Sequence, residues 1–117
     1  MTEGENSKQY DLEDRTLRVR ALVRQLPGDP ANIEDIRQLA RASSSVGANY
    51  IEANEALSKK DFCYRVKICR KESKETRFSL RLVHTKSIES LDVERAALVQ
   101  EATEFIKIFT AILRKSE

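Results

Sequence analysis

The sequence predicts an all-α fold, an antiparallel up-and-down four-helix bundle, and three observations point to it. Apolar residues recur at steps of three and four along most of the chain, which is the spacing of a helix face and not of a strand. The strong helix formers Ala, Leu, Glu, Lys and Arg fill the stretches between breaks. Proline is confined to the first break, where Pro27, Gly28 and Pro30 cluster. Four such segments joined by short connections favour a bundle. The 117 residues suit one domain. It is read as a bundle over 10–115 preceded by a flexible N-terminal segment, 1–9.

The first helix is expected over about 11–26, with Asp11 as its cap and Asp14 in its first turn. Leu12, Val19, Leu22, Val23 and Leu26 share one side of it. The second is expected over about 31–57, capped by Asn32 or Asp29. Its stripe runs Ile33, Ile36, Ala40, Ser43, Gly47, Tyr50, Asn54, Leu57. A glycine inside a helix costs about 1 kcal/mol against alanine, so Gly47 predicts close approach by a neighbouring helix.

The third helix is expected over 59–83. Ser58 followed by Asp61 resembles a capping box with the shorter acid. Phe62, Val66, Cys69, Ser73, Thr76, Leu80 and Val83 form its stripe. The fourth is expected over 91–114, started by Ser90 or Asp92, with Leu91, Leu98, Ala102, Phe105, Phe109 and Ile112 facing inward.

Charge is distributed unevenly. The net charge is only +2, yet residues 59–81 carry nine Lys or Arg against three acids. Projected at about 100° per residue, Lys59, Lys60, Lys67, Arg70, Lys71, Lys74, Arg77 and Arg81 fall within an arc of about 120°. Glu72 and Glu75 project to one side of that arc, so lacing by ion pairs is limited. Most charge runs are solvated faces and need no partner. Repeated around an oligomer, however, this arc would make a ring of positive charge suited to a phosphate backbone, RNA or DNA.

Tyr64, Ile68, Phe78 and Leu82 form a further apolar strip beside the arc. Leu17, Ala21, Ala97, Ile108 and Ala111 also lie off their main stripes. Apolar residues on a second side point to self-association, with Tyr64, Ile68, Phe78 and Leu82 as the subunit interface. Base stacking by Tyr64 or Phe78 is the other use of these rings.

Other functions find little support in the residues. With 40 % apolar and 34 % charged residues, the chain is neither collagen-like nor generally disordered. It shows no membrane-spanning run and no secretory signal, so a soluble cytoplasmic protein is expected. Glu52/Glu55, Glu72/Glu75 and Glu101/Glu104 have di-iron spacing, but His84 is the only histidine and a ferritin-like site needs two. Cys63 and Cys69 are neither a metal-binding pair nor placed to bridge. Phosphate-binding glycine loops, dinucleotide fingerprints and a nucleophile elbow are all missing from the sequence. No metal, no cofactor and no catalysis are expected.

The run from Arg41 through Ser43-Ser44-Ser45-Val46-Gly47-Ala48-Asn49-Tyr50-Ile51-Glu52, then Asp61-Phe62 and Val66 to Arg77, resembles a bacterial four-helix-bundle family. That family is often labelled the 23S rRNA intervening-sequence protein family, and the likeness covers about 10–114. The resemblance implies a four-helix protomer assembled into a ring, typically a homopentamer. The family includes the accessory variability determinant of diversity-generating retroelements, a basic pentamer that binds nucleic acid and a reverse transcriptase. Ala53 and Cys69 depart from the family's usual Gly and Ala by small changes.

Arg41, Asn49 and Glu52 match the family's polar marks and are expected to make contacts between helices or subunits. The ligand-facing residues are expected to be the cations of the third helix, with Arg15, Arg18, Arg20 and Arg24 as weaker candidates. The resulting expectation is a non-enzymatic oligomer that holds RNA or DNA for a partner enzyme. A scaffold ring engaging a protein is the alternative.

Overall fold

The structure, a computed structural model, describes residues 3–116, with side chains from Asp11 onward. Helices α1 (Glu3–Val23), α2 (Pro30–Asn54), α3 (Lys59–Leu82) and α4 (Glu89–Lys115) account for it, with no strand among the described residues. The expected segment 1–9 lies partly outside the described residues, and Glu3 to Gln9 belong to the backbone of α1. Asp11 is therefore inside a helix rather than at its cap. At the other end α1 stops at Val23, and Leu26 is buried from the following turn.

The remaining boundaries follow from local hydrogen bonding. Asp29 caps α2, its carboxylate accepting from the Asn32 N–H at 3.2 Å, and Pro30 supplies the fixed φ of the first turn. The helix ends at Asn54, three residues before the expected Leu57, which is fully solvent-exposed in the connection to α3. Ser58 Oγ accepts from the Asp61 N–H at 3.0 Å and starts α3 as expected.

Neither Ser90 nor Asp92 caps α4. Lys86 and Ser87 adopt left-handed conformations (φ 55° and 59°), the chain turns there, and helix begins at Glu89. Asp92 instead accepts from the Thr85 hydroxyl and from Arg95, whose guanidinium also donates to Val83 O beyond the end of α3. That bond satisfies a carbonyl that the α3 terminus would otherwise leave unpaired.

The inward stripe of α2 differs from the expected one. Asn32, Ile36, Leu39, Ser43, Val46, Tyr50 and Ala53 are buried, while Ile33, Asn54 and Leu57 are exposed. Both series step by three and four and share Ile36, Ser43 and Tyr50. Asn32 decides the register because its side chain ties two loops together. Its Nδ2 donates to Pro27 O and to His84 O, each at 2.9 Å, and its Oδ1 accepts from the His84 N–H at 3.0 Å. Gly47, assigned to the core by the expected stripe, faces α1 instead. A Cβ there would sit 2.8 Å from Thr16 Oγ1, so the close helix approach inferred from this glycine is present.

The core forms two layers. Leu12, Val46, Tyr50, Val66, Cys69, Phe105 and Phe109 pack in one, with Tyr50 and Phe105 rings tilted against Phe109 at 6.1 and 6.2 Å. Val19, Leu22, Ile36, Leu39, Leu80, Val83 and Leu98 pack in the other. Small and hydroxyl residues lie between them. Ser73 and Thr76 are buried there and donate back to Cys69 O and Glu72 O at 2.7 and 2.8 Å, which satisfies them inside their own helix. Contact is most extensive between α2 and α3 and slightest between α1 and α4.

Candidate nucleic-acid interface

Because Val66, Cys69, Ser73, Thr76 and Leu80 turn inward, the opposite side of α3 faces solvent. Lys59, Lys60, Lys67, Lys71, Lys74 and Arg81 are exposed on it, and Arg70 and Arg77 are half-buried. Arg77 leans onto α4 and donates to Thr103 Oγ1 at 3.3 Å. Lys71 Nζ lies 3.6 Å from Glu72 Oε1. Among the described residues, Lys59, Lys60, Lys67, Arg70, Lys74 and Arg81 form no ion pair with a carboxylate. The ninth cation of the segment, Arg65, belongs elsewhere: it donates to Asn49 Oδ1 of α2 at 3.2 Å, and its guanidinium stands 5.7 Å from the Tyr64 ring centre.

Two of the acids beside this face, Glu72 and Glu75, are bound from α2. Arg41, reaching across from α2, donates to Glu75 at 2.7 Å and to Glu72 at 3.3 Å. The hydrogen bond from Arg41 holds the Glu75 carboxyl below its ordinary value against a smaller opposing effect of burial. Glu72 is buried, which the sequence reading did not foresee. The signal was available, because Glu72 lies only about 60° round the helix from Cys69. With both carboxylates engaged by one arginine, the positive field of the outer face is little compensated.

The four proposed interface residues divide. Tyr64, Phe78 and Leu82 are 59 %, 63 % and 48 % exposed, whereas Ile68 is half-buried. The three exposed ones do not form a strip separate from the cations. At about 100° per residue, Lys60, Tyr64, Lys67, Lys71, Lys74, Phe78 and Leu82 fall within about 80°, a single ridge along α3. The basic face and the apolar face therefore share one surface.

The arginines of α1 are largely committed within the bundle. Arg15 makes a two-pronged contact with Glu101 of α4, at 2.6 and 2.8 Å, and its guanidinium lies 5.2 Å from the Phe105 ring centre. Arg18 reaches Glu94 at 3.2 Å and Arg20 donates to Ser44 at 2.9 Å, while Arg24 is exposed. Hydrogen bonding from Arg15 lowers the Glu101 pKa and outweighs the opposing burial. Of the family's polar marks, Arg41 and Asn49 link α2 to α3, and Glu52 is exposed. The Cys69 thiol is pushed up to about 12 by burial, and its Sγ donates to Val46 O at 3.6 Å, so it behaves as a small core group.

A crystal structure of a protein of unknown function from the S23 ribosomal protein family of Bacteroides thetaiotaomicron VPI-5482 is 27 % identical in sequence. Its TM-score is 0.72, and the match covers 86 % of this chain and 96 % of that one. A comparison with curated proteins finds no match. No helix among the described residues is long and apolar enough to cross a membrane. The sequence pattern of the 23S rRNA-intervening sequence proteins matches residues 8–111, and this four-helix chain belongs to that family.

Proposed function

We propose that this protein is a non-enzymatic, cytoplasmic, oligomeric accessory protein that holds RNA or DNA by its phosphate backbone on the outer face of α3. The observation that carries the reading is the set of six cations there without a carboxylate partner among the described residues. Unpaired Lys and Arg on one rigid face neutralise phosphates and release counterions, and they do so with little regard to sequence. In this role the protein presents nucleic acid to a partner enzyme such as a reverse transcriptase. The family's association with rRNA intervening sequences agrees with a nucleic-acid partner.

An antiparallel, up-and-down order of helices and assembly into a homopentameric ring belong to the same proposal. Asn32 at the start of α2 meets His84 just beyond α3, and Tyr50 late in α2 clusters with Phe62 and Val66 early in α3, which supports that order. Leu17 and Ile51, 67 % and 49 % exposed beside a groove between α1 and α2, provide apolar surface for self-association away from the basic face.

The test is titration into a labelled RNA hairpin and duplex DNA between about 50 and 200 mM salt, with the solution mass measured alongside. Six phosphate contacts predict a loss of roughly 10³-fold over that range. Reversing Lys67, Lys71 and Lys74 to Glu is expected to abolish binding with the mass unchanged. Absence of binding at the lowest salt overturns the proposal and leaves a scaffold for a protein partner, a reading that exposed Tyr64, Phe78 and Leu82 would then favour.

A further inference from the structure

The ridge on α3 interleaves two kinds of side chain that are rarely useful to the same protein partner. Lys60, Tyr64, Lys67, Lys71, Lys74 and Phe78 follow one another at steps of three and four, all exposed. Two aromatic rings thus bracket three lysines. Tyr64 and Phe78 are 14 positions apart, or about 21 Å along a helix axis rising 1.5 Å per residue. No carboxylate lies on the ridge; of those beside it, Glu72 and Glu75 are bound by Arg41, Glu72 also lies 3.6 Å from Lys71, and Asp61 lies 3.8 Å from Arg65.

Covering this ridge with a second protein copy would bury the rings but also Lys67, Lys71 and Lys74. Taking these ammonium groups out of water, Lys67 and Lys74 without a carboxylate partner among the described residues, is costly unless each finds an acid. A duplex would supply phosphates to the lysines, yet its bases are stacked inside, leaving both rings without a ligand surface. An unpaired strand supplies both at once, with phosphates for the ammonium groups and free base faces for the rings. Tyr64 also carries the Arg65 guanidinium beside its ring, 5.7 Å from the ring centre.

We infer that the α3 ridge binds single-stranded nucleic acid, with bases stacked on Tyr64 and Phe78 and the intervening phosphates on Lys67, Lys71 and Lys74. This rests on the nucleic-acid reading proposed above and narrows it to unpaired strands. Any bound segment must span the distance between the rings, so strands of only two nucleotides should bind much more weakly than longer ones.

The experiment compares an unstructured oligonucleotide of about 12 nucleotides, as RNA and as DNA, with its duplex form, a length within the range single-strand-binding modules occupy. The proteins are wild type, Tyr64→Ala, Phe78→Ala and Tyr64→Trp, each with its mass and circular dichroism recorded. The wild type is expected to prefer the single strand, and each alanine variant to lose about 5- to 150-fold in affinity for it, with an unchanged salt slope. Tyr64→Trp is expected to keep affinity. As the only tryptophan in the chain, it should also be quenched by the single strand. Equal binding of strand and duplex, with alanine variants unaffected, overturns the inference and leaves backbone binding intact. Dissociation of the oligomer by Tyr64→Ala or Phe78→Ala, with binding per protomer retained, also overturns it and assigns the rings to a subunit contact. Failure to bind either form at low salt removes both readings together.

Discussion

Replacing Gly47 by alanine sets two effects of similar size against each other, and the structure decides between them. In a solvent-facing helix interior the change would stabilise by about 1 kcal/mol, because glycine is the poorer helix former. Here the added Cβ would stand 2.8 Å from Thr16 Oγ1 and 3.5 Å from Thr16 Cβ. The oxygen contact is too short to survive, while the carbon contact is ordinary. Thr16 Oγ1 cannot swing away freely, since it donates to Glu13 O at 2.7 Å and a β-branched residue has few rotamers in a helix. Overpacking of this kind costs about 1–3 kcal/mol, so Gly47→Ala is expected to destabilise by about 1 kcal/mol net. In a Thr16→Ala background the offending oxygen is gone, and the same substitution is expected to stabilise by up to about 1 kcal/mol. The coupling read from the four proteins would then be about 2 kcal/mol. Urea unfolding followed by circular dichroism, at one protomer concentration, measures it. Equal stabilisation by Gly47→Ala in both backgrounds would refute the close approach of α1 and α2.

Three further outcomes are expected. Arg41→Ala removes the main partner of Glu72, whose side chain is 5 % exposed, leaving it Lys71 at 3.6 Å. A loss of about 2–3 kcal/mol is expected, partly recovered by adding Glu72→Gln, and urea midpoints of the two variants check it. Glu101 has a lowered pKa through its bond to Arg15, so it contributes stability above its ordinary value of 4.5 that is lost as pH falls through the depressed one. Urea midpoints should therefore drop between pH 5 and pH 3 more steeply in the wild type than in Glu101→Gln, and parallel curves would contradict this. Cys69, buried with its thiol pushed up to about 12, is expected to resist iodoacetamide in the native protein and to react fully in denaturant, as peptide mapping would reveal.

How much of this was legible in the sequence depended on whether a residue's role was set by its own helix or by a neighbour. The α3 stripe from Val66 to Leu80 follows from spacing alone, because those positions are apolar or small on one face and charged on the other. On α2 two interpenetrating series fit the same period, and hydropathy favoured the one containing Ile33 over the one containing Asn32. The choice is made by His84 O and Pro27 O, partners from two other segments that no local pattern reveals. Leu57 was misplaced for a related reason: the chain uses Glu55 to Leu57 as its connection into α3, and the Ser58 cap fixes where that connection must end. At the candidate site the cations of α3 were legible as an arc. That the apolar strip runs through them was obscured by treating the two sets as separate faces, although their helical angles overlap.

The division of labour between arginine and lysine gives the site its character. Every ion pair between helices among the described residues is made by an arginine: Arg15 and Arg18 to the acids of α4, and Arg41 to Glu72 and Glu75. A planar guanidinium suits this task, because it grips a carboxylate with two donors and loses little freedom in doing so. The ridge, in contrast, is built on Lys60, Lys67, Lys71 and Lys74, compact charges on flexible stems that meet a phosphate from many directions. Arg41 joins the two systems. By engaging Glu72 and Glu75 beside the ridge it ties α2 to α3, and it also keeps those two acids from pairing more fully with the lysines. The same contact that stabilises the bundle thereby leaves the outer face of α3 positively charged, so disrupting Arg41 should weaken nucleic-acid binding as well as the fold.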